Sequence, residues 1–141
     1  PIPSASIEAA IGVMIHSDMP AFDRVLAEIH RVLRPGGRFV HVGVHPCFIG
    51  DFADRTDPAR VTIGPGYRDE GWTPAISPTE GEVGTNGQVR NKVGAAHYRL
   101  ASLLNAVTEA GFGIGRVAEG GAPTPITLSL VAAKPLDGAS R

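Results

Sequence analysis

Apolar and polar positions divide the 141 residues into three parts with different periodicities. Residues 1–45 show the patterns of a strand, a helix and a second strand, whereas residues 46–96 show no sustained period. Regular patterns return in residues 97–136, and residues 137–141 are a polar tail. Strands that alternate with helices predict a single domain of the α/β class.

The first part predicts one right-handed βαβ unit with parallel strands. Residues 7–15 are almost all apolar, which is typical of a parallel strand covered on both faces. Asp18 and Pro20 mark the start of a helix, and the Pro-Gly-Gly sequence at residues 35–37 ends it. The apolar face of this helix consists of Phe22, Val25, Leu26, Ile29, Val32 and Leu33. Residues 38–45 form the second strand, and these lengths suit a crossover connection.

The third part predicts a helix followed by two strands. The helix has an apolar stripe made of Leu100, Leu103, Leu104 and Val107. Gly111 follows its end. Residues 112–118 alternate weakly, and residues 126–133 form a strand long enough to pair with them. With a turn at residues 120–123, this pattern predicts an antiparallel hairpin.

The middle part is irregular but contains aromatic residues. Gly or Pro occupies 13 of its 51 positions. It also holds Trp72, which is the only tryptophan, and Tyr67, one of two tyrosines. A long loop in a compact domain is usually functional, and aromatic residues in such a turn-rich segment favour a folded lid over a solvated linker.

Composition and charge exclude several classes of protein. Apolar residues make up 43% and charged residues 19%, which is typical of a globular chain. The net charge of −1 gives no electrostatic reason to bind nucleic acid or an anionic membrane. The single cysteine, Cys47, excludes an internal disulfide and a cysteine-rich zinc site. No apolar run is long enough to cross a bilayer, and no secretion signal is found, so a cytoplasmic protein is expected.

Residues 26–40, with the sequence LAEIHRVLRPGGRFV, closely resemble a segment of the class I S-adenosylmethionine-dependent methyltransferases. The resemblance is to the fourth helix and fifth strand of the type 11, ubiquinone-biosynthesis-like small-molecule branch. Residues 2–10 are similar to the stretch that leads into the fourth strand of this family. Residues 106–112 and 132–135 resemble its last helix and its closing hairpin, so the resemblance covers nearly all of the chain.

This resemblance implies a fold and an activity. The fold is the carboxyl-terminal half of a Rossmann-like doubly wound sheet, forming one partial domain over residues 1–136. Residues 1–45 are its βαβ unit, residues 46–96 a substrate-side loop, and residues 97–136 the last helix and closing hairpin. The implied activity is methyl transfer from S-adenosylmethionine to an unidentified small-molecule acceptor, which requires in-line alignment of the two reactants.

The departure from the family pattern concerns the cofactor. The family binds it with a glycine-rich loop after the first strand and an acidic residue at the end of the second. Neither is found, because the sequence starts where the fourth strand would be expected. The glycine-rich stretches at residues 64–66 and 111–115 do not lie between an apolar strand and an opening helix, so they do not replace that loop.

The missing first strand has a consequence for association. In the family it lies beside the fourth strand, so residues 7–15 are expected to form an unpaired apolar edge, which favours pairing with another chain. We expect a homodimer, or a partner that completes the sheet beside residues 7–15. The alternative function is a catalytically inactive remnant or binding subunit that oligomerises through this edge.

The end of the first strand carries the candidate cofactor-binding residues. The resemblance implies that Met14, Ile15 and His16 lie near the methylthio end of S-adenosylmethionine. The alternative for His16 is a surface histidine beside the start of a helix.

Two further histidines are candidates for catalysis. His45, at the end of the second strand, can orient or deprotonate an acceptor because histidine exchanges protons near neutral pH. Its alternative role is packing against the loop. His97 resembles a position where related enzymes have a histidine that faces the acceptor, and it is a candidate for both catalysis and substrate binding.

Two aromatic residues of the loop are candidates for substrate binding. Tyr67 and Trp72 are predicted to form an aromatic wall for the acceptor, with core filling as the alternative. No metal site is expected, since His41 and His45 share a strand face without a third ligand.

Overall fold

The computed structural model describes residues 1–57, 59–74 and 93–136. The strands are β1 (Ile7–Val13), β2 (Leu33–Val44), β3 (Ala53–Asp54), β4 (Thr62–Ile63), β5 (Gly71–Thr73), β6 (Ala95–His97), β7 (Gly113–Gly120) and β8 (Thr127–Ala133). The helices of the described residues are α1 (Phe22–Val32) and α2 (Leu100–Glu109). The predicted tail at residues 137–141 lies outside the described residues.

One four-stranded sheet, with the strand order β1-β2-β8-β7, organises the fold. β1 and β2 are parallel and α1 connects them, so the predicted βαβ unit is confirmed. β7 and β8 are antiparallel, which confirms the predicted hairpin. β8 also pairs antiparallel with β2 along seven residues, from the pair of Arg38 and Ala133 to that of Val44 and Thr127. The hairpin is thereby built into the sheet.

The boundary between α1 and β2 differs from the prediction. β2 begins at Leu33, directly after the helix, and not at residue 38. The register with β1 shifts here, since Ile7 pairs with Leu33 but Ala9 pairs with Arg38. Between these two pairs β2 has more residues than β1. One of them is Gly36, whose φ of +76° would be strained for any other residue type. The Pro-Gly-Gly sequence therefore forms an irregular stretch inside the strand that follows the helix.

The first strand is shorter and more exposed than predicted. β1 ends at Val13 because Met14 adopts a φ of +59°, which interrupts the extended conformation. Ile11 is 74% exposed and Val13 is 59% exposed. The prediction of cover on both faces is therefore wrong for β1 among the described residues. β1 is also an edge strand of the described sheet.

The described residues form an apolar core between the sheet and the two helices. Its buried members are Phe22, Leu26, Leu33, Phe39, Leu103, Val107, Phe112, Leu128, Leu130 and Ala132. The residues predicted for the apolar stripes of both helices contribute to this core as buried or partly buried side chains, except Val32, which is buried but is not part of this cluster. The helical periodicity therefore identified the faces that pack on the sheet.

The middle part folds into small elements beside the sheet. β3 pairs with β4 and β5 pairs with β6, both antiparallel. A short 3-10 helix at Pro65–Arg68 lies between β4 and β5. Among the described residues, no helix has both the length and the apolar character needed to cross a membrane.

Candidate functional site

A cavity of about 500 Å³ lies beyond the carboxyl ends of β1 and β2. Val44 at the end of β2 and His16 just after β1 contribute to its lining. Phe52, Asp69 and His97 contribute from the middle part and β6. Its volume is within the range of small-molecule sites, and its position follows the general rule for open α/β sheets. This cavity is the candidate functional site.

His16, which lines this cavity, forms a buried pair with a second histidine. His16 lies in a short 3-10 helix after β1 and is only 2% exposed. Its Nδ1 is 2.9 Å from Nε2 of His41, a buried residue of β2. The other ring nitrogen of His41, Nδ1, is 3.1 Å from the carbonyl oxygen of Gly12. Three groups from β1, β2 and the intervening turn are thus joined by two hydrogen bonds.

The protonation of this pair follows from its partners. A carbonyl oxygen only accepts, so Nδ1 of His41 carries the hydrogen and donates it to Gly12. Burial lowers the pKa of His41, and the hydrogen bond to Gly12 opposes that shift only in part. His41 is therefore neutral and its Nε2 accepts, so Nδ1 of His16 is the donor. In neutral His16 this tautomer makes Nε2 the acceptor nitrogen.

His45 has hydrogen-bond partners at both ring nitrogens. The backbone N–H of Cys47 donates to its Nδ1 at 3.1 Å, so its Nε2–H donates to the Glu119 carboxylate at 2.7 Å. The ring is buried and packs against Phe48, with ring centroids 4.6 Å apart. His45 is not among the described residues that line the cavity. Its predicted catalytic role stays a prediction.

His97 lies on the wall of the cavity. It is the last residue of β6, three positions before α2, whereas the sequence placed it at the start of that helix. Its Nε2–H donates to the carbonyl oxygen of Tyr67 at 2.9 Å, and its ring is 4.6 Å from that of Phe52. This tautomer makes Nδ1 the acceptor nitrogen of neutral His97.

The two aromatic residues predicted as an acceptor wall, Tyr67 and Trp72, are not among the described lining residues. Tyr67 accepts a hydrogen bond from the backbone N–H of Leu100 at 3.1 Å, and burial raises the pKa of its hydroxyl. Trp72 is 40% exposed and lies over Gly94 on the β5–β6 pair. Neither is among the described lining residues, which instead include the aromatic residues Phe52 and Tyr98.

Sequence reasoning missed Phe52 and Tyr98 for different reasons. Tyr98 directly follows a candidate histidine, and its hydroxyl donates to the carbonyl oxygen of Met19, 3.3 Å away. Its position next to His97 was the feature of the sequence that could have identified Tyr98. Phe52 lies in an aperiodic segment, and no local pattern marks it as part of a site.

Of the three residues predicted to hold the cofactor, His16 lines the cavity. Met14 lies at the sharp turn after β1, where its backbone N–H donates to the carbonyl oxygen of Val42 at 2.7 Å. Ile15 is half-buried and packs against the main core. The described part of the chain has no cluster of three or more His, Cys, Asp or Glu side chains able to hold a metal ion.

Glu70 joins the middle part to the first turn of α2. Its carboxylate accepts hydrogen bonds from the backbone N–H of Arg99 at 2.7 Å and from Nε of Arg99 at 2.6 Å. It also accepts one from the hydroxyl of Ser102 at 3.0 Å. Arg99 itself gives the helix no side-chain cap, so Glu70 and Tyr67 satisfy N–H groups at its start. These bonds hold one wall of the cavity on the core.

A Glu70→Gln substitution is expected to lower the free energy of unfolding by about 1 kcal/mol at pH 7, as loss of a helix cap does. Burial raises the pKa of Glu70, but the hydrogen bonds from Arg99 and Ser102 outweigh it, so the folded-state pKa is lowered. The stabilisation is therefore present above the unfolded pKa of about 4.3 and is lost as the pH falls through the folded pKa. The difference between the two proteins should shrink in acid, as measured by urea unfolding at several pH values.

Glu109 provides a matched control, because it is an exposed acid at the opposite end of α2. A Glu109→Gln substitution is expected to leave stability nearly unchanged. Equal losses from both substitutions would show that Glu70 acts only through the general charge of the protein.

Comparisons with solved structures agree on the fold, whereas comparisons of the sequence found no match. No protein-family model matches the sequence, and no curated protein matches it. A methyltransferase structure from Mesorhizobium loti matches with a TM-score of 0.71 and 22% identity, over 94% of this chain and 63% of that one. One from Listeria monocytogenes matches with a TM-score of 0.72 and 20% identity, over 95% of this chain and 64% of that one. Both are described as dependent on S-adenosylmethionine.

A third structure comes from Burkholderia thailandensis. It is a 1,6-didemethyltoxoflavin-N1-methyltransferase with S-adenosylhomocysteine bound, and it matches with a TM-score of 0.55 and 16% identity. The match covers 94% of this chain and 45% of that one. The chain thus spans less than two thirds of the length of each of these structures. It has the fold of the class I S-adenosylmethionine-dependent methyltransferases.

Proposed function

We propose that this chain is the acceptor-binding part of an S-adenosylmethionine-dependent methyltransferase that acts on a small molecule. The observation that carries this proposal is the cavity of about 500 Å³ at the carboxyl ends of two parallel strands, in a methyltransferase fold. Ligands of open α/β sheets bind at this edge. The names of the similar structures support the reaction class, since they are methyltransferases.

The proposed roles follow from where each residue lies. His16, just after β1, and His97, at the end of β6, both line the cavity. We assign both side chains to binding of the acceptor. His45 is assigned the positioning of the segment after β2, through Glu119 and Cys47. Tyr67 and Trp72 are assigned to the support of the acceptor wall.

The described residues fit the acceptor side of the site better than the cofactor side. The parallel strand–helix junction of the described sheet, residues 14–21, contains no glycine that would let a nucleoside approach the backbone. The acidic residues of the lining, Asp51 and Asp69, come from the middle part and not from a strand end beside β1. Of the three residues predicted to hold S-adenosylmethionine, His16 is among the described lining residues and Met14 and Ile15 are not, so a complete cofactor site needs further residues.

We propose that the further residues of the cofactor site lie beside the exposed edge of β1. Ile11 and Val13, which are 74% and 59% exposed, lie on a strand without a neighbour on one side in the described sheet. An apolar strand edge of this kind favours pairing with another strand. We propose that a second copy of the chain, or a partner that completes the sheet, pairs with β1.

Calorimetric titration of the 141-residue chain with S-adenosylmethionine and S-adenosylhomocysteine tests the function, after sedimentation has established the oligomeric state. Micromolar binding is expected if a paired β1 edge completes the cofactor site. Absence of binding up to millimolar concentrations by a paired form would overturn the assignment of this chain as a methyltransferase. It would favour the alternative, a catalytically inactive binding subunit.

A further inference from the structure

We infer that the cavity takes a small ligand with a planar, positively charged group that carries several N–H donors, such as an amidinium or a guanidinium. This inference rests on the proposed function, because such a ligand is the methyl acceptor. It goes further by naming the charged group through which the site recognises the acceptor, whichever atom of the acceptor takes the methyl group.

Phe52 is the centre of the proposed binding site. Its ring lies 4.6 Å from the ring of His97, between centroids. A Cβ atom added at Gly66 would lie 3.4 Å from Cβ of Phe52 and 3.9 Å from Oδ2 of Asp69, so this carboxylate lies on the same side of the cavity. Asp51 directly precedes Phe52 in the sequence. The described lining thus groups two carboxylates and an imidazole around one aromatic ring.

His97 contributes a hydrogen-bond acceptor to this group. Its Nε2–H donates to the carbonyl oxygen of Tyr67 at 2.9 Å, so Nδ1 is the acceptor nitrogen of the neutral ring. Nδ1 takes part in no hydrogen bond with a residue that the structure describes. The contact with Phe52 holds the ring in place. A ligand that brings an N–H group can therefore donate to this nitrogen.

The two carboxylates of the lining are acceptors as well. Neither Asp51 nor Asp69 has a side-chain hydrogen bond or ion pair with another described residue, and an ionised carboxylate only accepts. The hydroxyl of Tyr98 is already engaged, since it donates to the carbonyl oxygen of Met19 and accepts from the backbone N–H of Phe22, both at 3.3 Å. Together with the imidazole nitrogen, three acceptor groups thus lie on the described wall without a donor from this part of the chain.

The charge of the lining favours a cation. No Lys or Arg is found among the described residues that line the cavity. Arg55, the arginine nearest to Phe52 in sequence, donates to the carbonyl oxygen of Phe48 at 3.2 Å. Carboxylates that line a cleft raise the local concentration of cations and repel anions. A ligand that supplies both positive charge and N–H donors therefore matches this wall.

The aromatic ring favours a planar cation over an ammonium. A delocalised cation such as guanidinium presents several N–H groups in one plane, stacks on an aromatic face and is more weakly hydrated than an ammonium. It therefore loses less hydration when it enters a cavity. The face of the Phe52 ring attracts a cation that lies over it. Acceptors grouped around one ring suit a planar set of donors better than the compact charge of an ammonium.

Benzamidine, benzamide and benzoate provide the test, because they share one planar shape and differ in charge. Nuclear magnetic resonance titration of the 141-residue chain at about pH 8, where an ordinary histidine is neutral, measures their affinities. We expect benzamidine to bind about tenfold more tightly than benzamide, and benzoate to bind most weakly. Benzylamine, whose charge is on an ammonium, should bind about threefold more weakly than benzamidine. The backbone amide signals that move should be those of residues 50–52, 64–66 and 95–98.

A double substitution tests the carboxylates. Asp51→Asn combined with Asp69→Asn is expected to weaken benzamidine about tenfold and to leave benzamide unchanged. Asp23→Asn combined with Glu109→Gln is the matched control, since it changes the net charge equally at two exposed helix residues outside the described lining. The control pair should leave both affinities unchanged.

His97→Phe tests the acceptor nitrogen. Phenylalanine keeps a ring beside Phe52 but has no nitrogen to accept a hydrogen bond. We expect it to weaken benzamidine about tenfold. In the unsubstituted chain, benzamidine should shift the ¹⁵N signal of Nδ1 of His97 more than that of Nε2, which already has a partner.

Three results would overturn the inference: benzamide or benzoate binding as tightly as benzamidine, benzylamine binding as tightly as benzamidine, or signal changes confined to residues outside the cavity lining. These measurements use the unsubstituted chain, so they decide even where a variant fails to fold. Failure of S-adenosylmethionine to bind tests the proposed function separately, since benzamidine binding does not require it.

Discussion

Substitution of Gly43 by alanine is expected to break the hydrogen bond between His16 and His41 and to lower the free energy of unfolding by about 1–3 kcal/mol. A Cβ atom at this position would overlap Nδ1 and Cε1 of His16 and would lie 2.8 Å from Nε2 of His41. His16 is almost fully buried, so its ring can avoid the added methyl group only by giving up its present packing. Urea unfolding and the ¹⁵N shifts of His16 measure the two effects.

Gly113→Ala is the matched control for this substitution. Gly113 begins β7, and the nearest heavy atom to an added Cβ there is the carbonyl oxygen of Ala133, at 3.9 Å. This is an ordinary contact, so we expect unchanged or slightly increased stability. If Gly43→Ala left the tautomer of His16 unchanged, the described packing of the pair over β2 would be wrong.

Substitution of Phe22 by alanine is expected to have the largest effect on stability, a loss of about 3–5 kcal/mol. Phe22 is fully buried at the start of α1. Its ring lies 5.5 Å from that of His41 and 6.2 Å from that of Tyr98, between centroids. The cavity left by alanine would therefore open beside the histidine pair as well as in the core. Against a typical total of about 5–15 kcal/mol, such a loss leaves the domain marginal.

Phe22→Leu separates the loss of volume from the loss of the aromatic ring. We expect it to cost less than about 1.5 kcal/mol, because leucine fills most of the space. Chemical unfolding measures both variants. A cost for Phe22→Ala below about 1 kcal/mol would mean that Phe22 is not part of the core.

The candidate functional site depends on contacts between distant parts of the chain. His16 and His41 are 25 positions apart in sequence, and Glu70 and Arg99 are 29 apart. Each contact joins two elements, and the apolar pattern of one element gives no information about its contact with the other. The site is thus assembled by the parallel pairing of β1 with β2 and by the packing of the middle part on α2.

The sequence by itself determined the elements whose patterns are local. The apolar stripe of α1 and the two strands of the hairpin follow from spacings within about ten residues. The resemblance of residues 26–40 then predicted the fold that the structural comparisons support. Periodicity suffices here because each such element buries one continuous face.

Only the tertiary structure decided the pairings and the site. The place of β8 between β2 and β7 depends on strand contacts that no local period encodes. Phe52 lines the cavity from an aperiodic segment, while Tyr67 and Trp72 of the same segment are not among the described lining residues. The donor and acceptor roles of His16 likewise depend on Gly12 and His41. These features arise from contacts between elements, and such contacts form only once the chain has folded.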